Sequence, residues 1–183
     1  MIITIGGNIG AGKTTLASRL AKALDYEELY TGHIFREMAR EKGISIEEFY
    51  AALKNDPAVD KEVDARQADL MRTRDNFVIQ GRISWHFAKA SPFRTFNIFL
   101  KVDPAIGAAR SGKRTENAGR EMKEMIAANA EREQVERDRY KKLYGVEDFQ
   151  APEHYDYILD TTDLDEEEVL ENILAQIKTK TAA

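Results

Sequence analysis

The chain has 183 residues, 43% hydrophobic and 32% charged, enough for one soluble domain with a core of its own. A net charge of −5 argues against a general nucleic-acid binder, and the absence of cysteine excludes disulfides and thiolate metal sites while fitting a reducing compartment. The N-terminus lacks a basic and apolar leader, and no apolar run approaches the roughly 20 residues of a membrane span. The expectation is a cytoplasmic monomer with neither a membrane nor a nucleic acid as partner.

The first segment, Met1-Ile2-Ile3-Thr4-Ile5, is short, apolar and β-branched, the pattern of a buried strand. It leads into Gly7-Asn8-Ile9-Gly10-Ala11-Gly12-Lys13-Thr14, which fits glycine, four residues, then Gly-Lys-Ser/Thr. From Thr15 to Leu24 apolar residues return at helical spacing. Strand, glycine-rich loop and helix in that order predict a phosphate-binding loop. Its glycines let successive N–H groups turn toward a phosphate, and the helix adds its positive end. Residues Gly7, Asn8, Ile9, Gly10, Ala11, Gly12 and Thr15 would form the cradle. Lys13 would reach the β- and γ-phosphates, and the Thr14 hydroxyl would bind Mg²⁺. ATP is the expected nucleotide; no guanine-reading Asn-Lys-x-Asp motif accompanies the loop.

Further strands are expected at 26–29, 77–80, 95–102 and 157–160, separated by helical patterns at 32–42, 46–54, 57–72 and 119–140. A last helix starts near Asp163-Leu164-Asp165-Glu166, whose acids suit a helix N-terminus. Alternating strands and helices predict an α/β fold with a central parallel sheet. Ligands in such folds sit beyond the carboxyl ends of the strands. That edge receives Arg36 after the second strand, Gly81-Arg82 after the third, and Arg110 and Arg114 after the fourth.

Arginines neutralise charge in phosphoryl transfer, whereas a hydroxyl acceptor calls for a general base. The chain offers many arginines and no obvious carboxylate after the second and third strands, a balance that favours a phosphate acceptor. Arg132, Glu136 and Arg139, at i, i+4 and i+7, share one helical face. On spacing alone they form either a phosphate clamp or a surface ion-pair row. Arg137 falls on another face and is expected to be solvated. Trp85, Phe87 and Phe93 are expected in the core or acceptor-site wall, and the three histidines show no metal-ligand spacing.

Together these residues resemble the nucleoside monophosphate kinases, and among them the cytidylate kinase family in its short archaeal form, from Ile2 to about Val169. The resemblance implies a P-loop NTPase three-layer fold over 1–183, with a helical monophosphate-binding insertion near 31–75 and a lid near 110–135. It also implies transfer of the ATP γ-phosphate to CMP or dCMP with Mg²⁺. Thr31-Gly32-His33-Ile34-Phe35-Arg36 matches a family motif that implies Thr31 beside the cytosine and Arg36 on the acceptor phosphate, with Gly32 and Phe35 lining that site. Gly81-Arg82 implies a second phosphate contact. The Arg132, Glu136 and Arg139 row matches a late family signature in which the arginines serve phosphate and base and the carboxylate helps orient the first arginine and the cytosine. By likeness to adenylate kinase lids, Arg110 would lie over the adenine and Arg114 near the transferring phosphate. Gln80 stands where the family usually has a carboxylate that helps hold hydrated Mg²⁺. Glu136 and His33 replace more usual residues. Other acceptors (AMP, UMP or a deoxynucleoside) and a nucleotide-binding regulator with weakened catalysis stay open at this point.

Overall fold

The first strand, β1 (Ile2–Gly7), is buried over its whole length in the computed structural model, which describes residues 1–49, 57–112 and 121–182. A strand buried on both faces belongs inside a parallel sheet with helices on either side, and β1 takes that place. It pairs in parallel with β3 (Phe77–Gln80) and β4 (Thr95–Lys101). The outer strands β2 (Glu27–Tyr30) and β5 (Tyr157–Asp160) complete a five-stranded parallel sheet of order β2-β3-β1-β4-β5. The second strand runs one residue later than expected. The Tyr26 N–H closes the preceding helix by donating to Ala21 O at 2.9 Å, and the ladder begins with Glu27 opposite Phe77.

The helices are α1 (Lys13–Leu24), α2 (Thr31–Lys42), α3 (Pro57–Thr73), α4 (Ser84–Ala88), α5 (Pro104–Gly112), α6 (Met122–Tyr144) and α7 (Glu166–Ala182). Residues 46–49 are helical behind a capping box in which Ser45 and Glu48 bond each other's backbone N–H, at 3.2 and 2.7 Å; 50–54 of the helix expected there fall outside the described residues. The start of α7 is a second such box, with Asp165 accepting from Glu167 and Glu168 N–H and the Glu168 carboxylate accepting from Asp165 N–H. The acidic run at 165–168 is therefore a helix start. Helix α6 continues past the expected end at 140 to Tyr144, where Gly145, at φ 66°, turns the chain out. Sequence periodicity did not reveal α5. Its cue is local: Asp103 accepts from Ala105 and Ile106 N–H at 2.8 and 3.2 Å, and Pro104 fills the first turn.

On one sheet face Ile3, Ile5, Ile98 and Leu100 pack against Leu16 and Leu20 of α1 and Ile173 and Ile177 of α7. On the other, Ile2, Phe77 and Ile79 meet Ile34 and Met38 of α2 and Met71 of α3. The result is three layers. A third cluster joins Trp85, Tyr140, Val146 and Phe149, with Phe87 partly buried against it. Trp85 is in the core, as expected, and Phe93 packs at the edge of the second cluster. All five strands point their carboxyl ends to one edge, where the candidate site lies.

Candidate active site

The phosphate loop leaves β1 at Gly7 and enters α1 at Lys13. Gly10 and Gly12 sit at φ 82° and 86°, a region that disfavours side chains. At Gly10 a β-carbon would stand 2.1 Å from the Gly107 carbonyl oxygen, and at Gly107 one would stand 2.6 Å from that of Ile9. Helix α5 thus packs backbone to backbone against the loop. Gly107 went unnoticed in the sequence because a glycine inside a helix carries no signal until its neighbour is known. A Gly107→Ala change is expected to overpack this contact by about 1–3 kcal/mol. It should lower the melting temperature by several degrees, which a thermal melt checks.

Asn8 ties the loop to β4: its N–H donates to Leu100 O at 3.0 Å and its side-chain oxygen accepts from Val102 N–H at 3.4 Å. Lys13 Nζ donates to the carbonyls of Gly7 and Asn8 at 2.8 and 2.6 Å, so the lysine lies over the loop it serves. Thr14 Oγ1 donates to Gln80 Oε1 at 3.0 Å, which brings two neutral oxygens together at the end of β3. Beside the loop opens a cleft of about 490 Å³, lined by Gly10, Ala11, Gly12, Thr15, Arg110 and Thr161 among others. Arg110 is held in its wall by donating to Thr161 O at 2.9 Å and Thr162 O at 3.1 Å.

The second half of the site faces α6. Arg82 follows β3, and its side chain is only 12% exposed. It pairs with Glu136 and lies 3.7 Å from Glu133. Glu136 also faces Arg132 Nε at 3.3 Å, while Arg132 itself is 66% exposed. Arg139, one turn on, lies 3.6 Å from Asp64 of α3, which also accepts from the Tyr144 hydroxyl. The α6 row thus joins β3 on one side and α3 on the other and is more than a surface ion-pair ladder. Burial, and secondarily the Glu136 charge, push the Tyr140 phenol up to about 12, so it stays neutral. Asp64 and Glu133 are carboxylates at this site that sequence reading missed. Asp64 lies in an evenly charged helix, and Glu133 falls off the row of three. Arg137 is not merely solvated: it pairs with Asp148 and lies over the Phe149 ring at 5.6 Å.

Arg36 donates to the Tyr30 hydroxyl and lines a groove with Arg40 and Arg74 along the open edge of β2. Phe35 packs against Phe49, ring centroids 5.6 Å apart. Thr31 and Gly32 form the first turn of α2, and Gly81 N–H donates to Ile5 O at 3.1 Å. Arg114 lies outside the described residues. Among the described residues no three His, Asp or Glu side chains gather as a metal cluster, and no helix is long and apolar enough to cross a membrane.

The profile of the cytidylate kinase-like family matches residues 2–163. The chain belongs to that family. It is 36% identical to a cytidylate kinase of Methanopyrus kandleri, over 97% of this chain and 93% of that protein. With a cytidylate kinase of Pyrococcus abyssi it shares 37% identity, again over 97% and 93%. Among solved structures, a shikimate kinase from Aquifex aeolicus superimposes with a TM-score of 0.60 at 20% identity, over 99% and 98% of the two chains. A protein from Eubacterium ventriosum does so with 0.72 at 19% identity, over 97% and 98%. The fold common to the family and the shikimate kinase is the α/β P-loop NTPase fold.

Proposed function

We propose that the protein transfers the γ-phosphoryl group of ATP to CMP or dCMP, giving ADP and CDP or dCDP. One structural observation carries this reading: Arg82, at the carboxyl end of β3 across from the phosphate loop, is held among carboxylates of α6 with Arg132 and Arg139 on the same helix. These three guanidiniums, each now beside a carboxylate, can turn their N–H donors to an acceptor that is already an anion. The acceptor base comes from the family, whose curated relatives are cytidylate kinases.

In this reading the loop N–H groups and Lys13 hold the β- and γ-phosphates, and the adenine occupies the cleft beside Arg110. Thr14 and Gln80 would hold a hydrated Mg²⁺ through neutral oxygens, since that ion keeps several of its waters and takes further ligands from the substrate phosphates. When bound it neutralises charge on the β- and γ-phosphates. Arg36 and Arg82 take the acceptor phosphate. Arg132 and Arg139 serve the transferring group and the acceptor, with Glu136 orienting them. Thr31, Gly32, Phe35 and Gly81 line the acceptor pocket. An acceptor phosphate oxygen attacks the γ-phosphorus in line, the bond to the β-bridging oxygen breaks, and ADP leaves. The acceptor needs no base, and the chain supplies positioning and positive charge. Closure of the monophosphate-binding region near 31–75 and of the lid near 110–135, which carries Arg114, keeps water from the γ-phosphate. The enzyme would work as a cytoplasmic monomer.

Gln80→Glu places an anion beside Thr14 and is expected to lower the Mg²⁺ concentration giving half-maximal rate several-fold; rates across a Mg²⁺ titration check this. Initial rates of ADP release with CMP, dCMP, UMP, AMP, GMP and cytidine test the proposal as a whole. CMP or dCMP well above the rest is the expected result; a preference for another acceptor overturns the base assignment, and silence with all of them overturns the kinase reading.

A further inference from the structure

Five described side chains are both polar and buried, and one of them, Thr161, lines the cleft beside the phosphate loop. It stands immediately after β5, at the carboxyl edge of the sheet, and is 1% exposed. Its hydroxyl donates to Lys101 O at 3.0 Å, at the end of β4, and faces Ala11 O of the phosphate loop at 3.4 Å. On its other side the same oxygen accepts from Arg110 Nη1 at 3.3 Å. One hydroxyl thus joins the sheet, the loop and the arginine that walls the cleft.

These contacts close a ring around the cleft. Helix α5 carries Gly107 and Arg110 three positions apart, on one face. Gly107 rests on the loop at Ile9, and Arg110 returns to the loop at Ala11 through Thr161. The bonds of Arg110 to backbone all leave from Nη2, to Thr161 O, Thr162 O and Leu164 O. Contacts at one nitrogen locate a guanidinium but let its plane turn about that nitrogen. The bond from Nη1 to the Thr161 hydroxyl is the second point that fixes the plane, as the rigid fork of an arginine allows. A hydroxyl has one hydrogen and two lone pairs, so it can give to the sheet and take from Arg110 at once.

We propose that Thr161 is a positioning residue of the ATP site, its hydroxyl holding the Arg110 guanidinium in the plane against which the donor base lies. The inference rests on ATP occupying this cleft, and it names the group that sets the cleft's base-binding wall. Thr161 acts through Arg110 on how tightly ATP is held. The transfer step itself, at the Lys13 end of the nucleotide, does not use it.

Thr161→Val keeps the side-chain shape and removes the hydroxyl. It is expected to raise the Kd for ATP, measured by calorimetry with no acceptor present, by about 5- to 30-fold, the range of one hydrogen bond. The KM for ATP should rise by the same factor, while kcat and the KM for CMP stay near their original values. Thr161→Ser, which keeps the hydroxyl, should restore the affinity. Lys101 O keeps its bond from Thr161 N–H at 2.9 Å, which favours a folded variant. Thr161→Cys, close in size and a much weaker hydrogen-bonding group, is the second variant if valine does not fold, with the same direction expected. The route through Arg110 has its own test: in an Arg110→Ala background, Thr161→Val should cost little more, because the group it positions is gone. Unchanged ATP affinity in a folded valine or cysteine variant overturns the proposal, even if the melting temperature falls. So does an equal loss with and without Arg110, or a loss that serine does not restore. Absence of ATP binding by the unmodified protein would instead remove the ATP site, and this inference with it. Turnover of CMP by the unmodified protein tests the kinase reading separately.

Discussion

Lys13→Ala is expected to lower kcat by about 10²- to 10³-fold, the cost of removing one preorganised donor from a site of developing charge. The side chain belongs to a loop whose shape is fixed independently of it. Gly10 and Gly12 set the turn, Asn8 fastens it to β4, and Gly107 backs it. What Lys13 itself holds is small, the Gly7 and Asn8 carbonyls among its contacts, at 2.8 and 2.6 Å. The variant should therefore fold with nearly the original melting temperature and still bind nucleotide in the cleft beside Arg110. In phosphoryl transfer most of the rate comes from positioning and charge, and this lysine is one of the cations on the γ-phosphate in the proposed mechanism. Steady-state rates beside a thermal melt separate the two effects. A kcat within about threefold of the original would remove the loop lysine from the chemistry.

Arg82→Ala is the second large effect, and it acts on the acceptor. The arginine is 12% exposed and paired with Glu136, itself 17% exposed, with Glu133 nearby. The substitution is expected to lower kcat/KM for the monophosphate by about 10²- to 10³-fold. It also leaves Glu136 half-buried with only Arg132 beside it, so some stability is lost as well. Arg82→Lys separates these contributions. The charge stays, Glu136 stays paired and stability should recover, but the planar two-donor fork that grips a phosphate is gone, so activity should recover only in part. Full recovery with lysine would mean that Arg82 supplies charge alone. Unchanged acceptor kinetics in Arg82→Ala would place the acceptor phosphate elsewhere.

The parts of this molecule legible from sequence are the local ones. Strand β1, the glycine loop and α1 are contiguous, and their residue types dictate their conformation. Strands β3 and β5 run where the sequence predicts them, at 77–80 and 157–160. Parallel pairing follows from the alternation of strands with helices, but the order that puts β1 at the centre does not, because it depends on which helix covers which face. The site divides in the same way. The phosphate loop is contiguous, whereas the acceptor wall is assembled from β3, α3 and α6. Arg82 and Glu136 are 54 positions apart in sequence, and nothing in either segment announces the other. Asp64 and Glu133 come into view only when α3 and α6 are set against the end of β3. Gly107 is the same case in the backbone, a helical glycine whose purpose is the loop it touches.

The protein is expected to move a phosphoryl group from ATP to the phosphate of a cytidine nucleotide. The direct measurement is to incubate the protein with γ-labelled ATP, Mg²⁺ and CMP and to separate the products by chromatography. Label in CDP, with ADP formed in equal amount and little inorganic phosphate, is the predicted result. Label released only as inorganic phosphate, or left in ATP while the nucleotide is measurably bound, would contradict it.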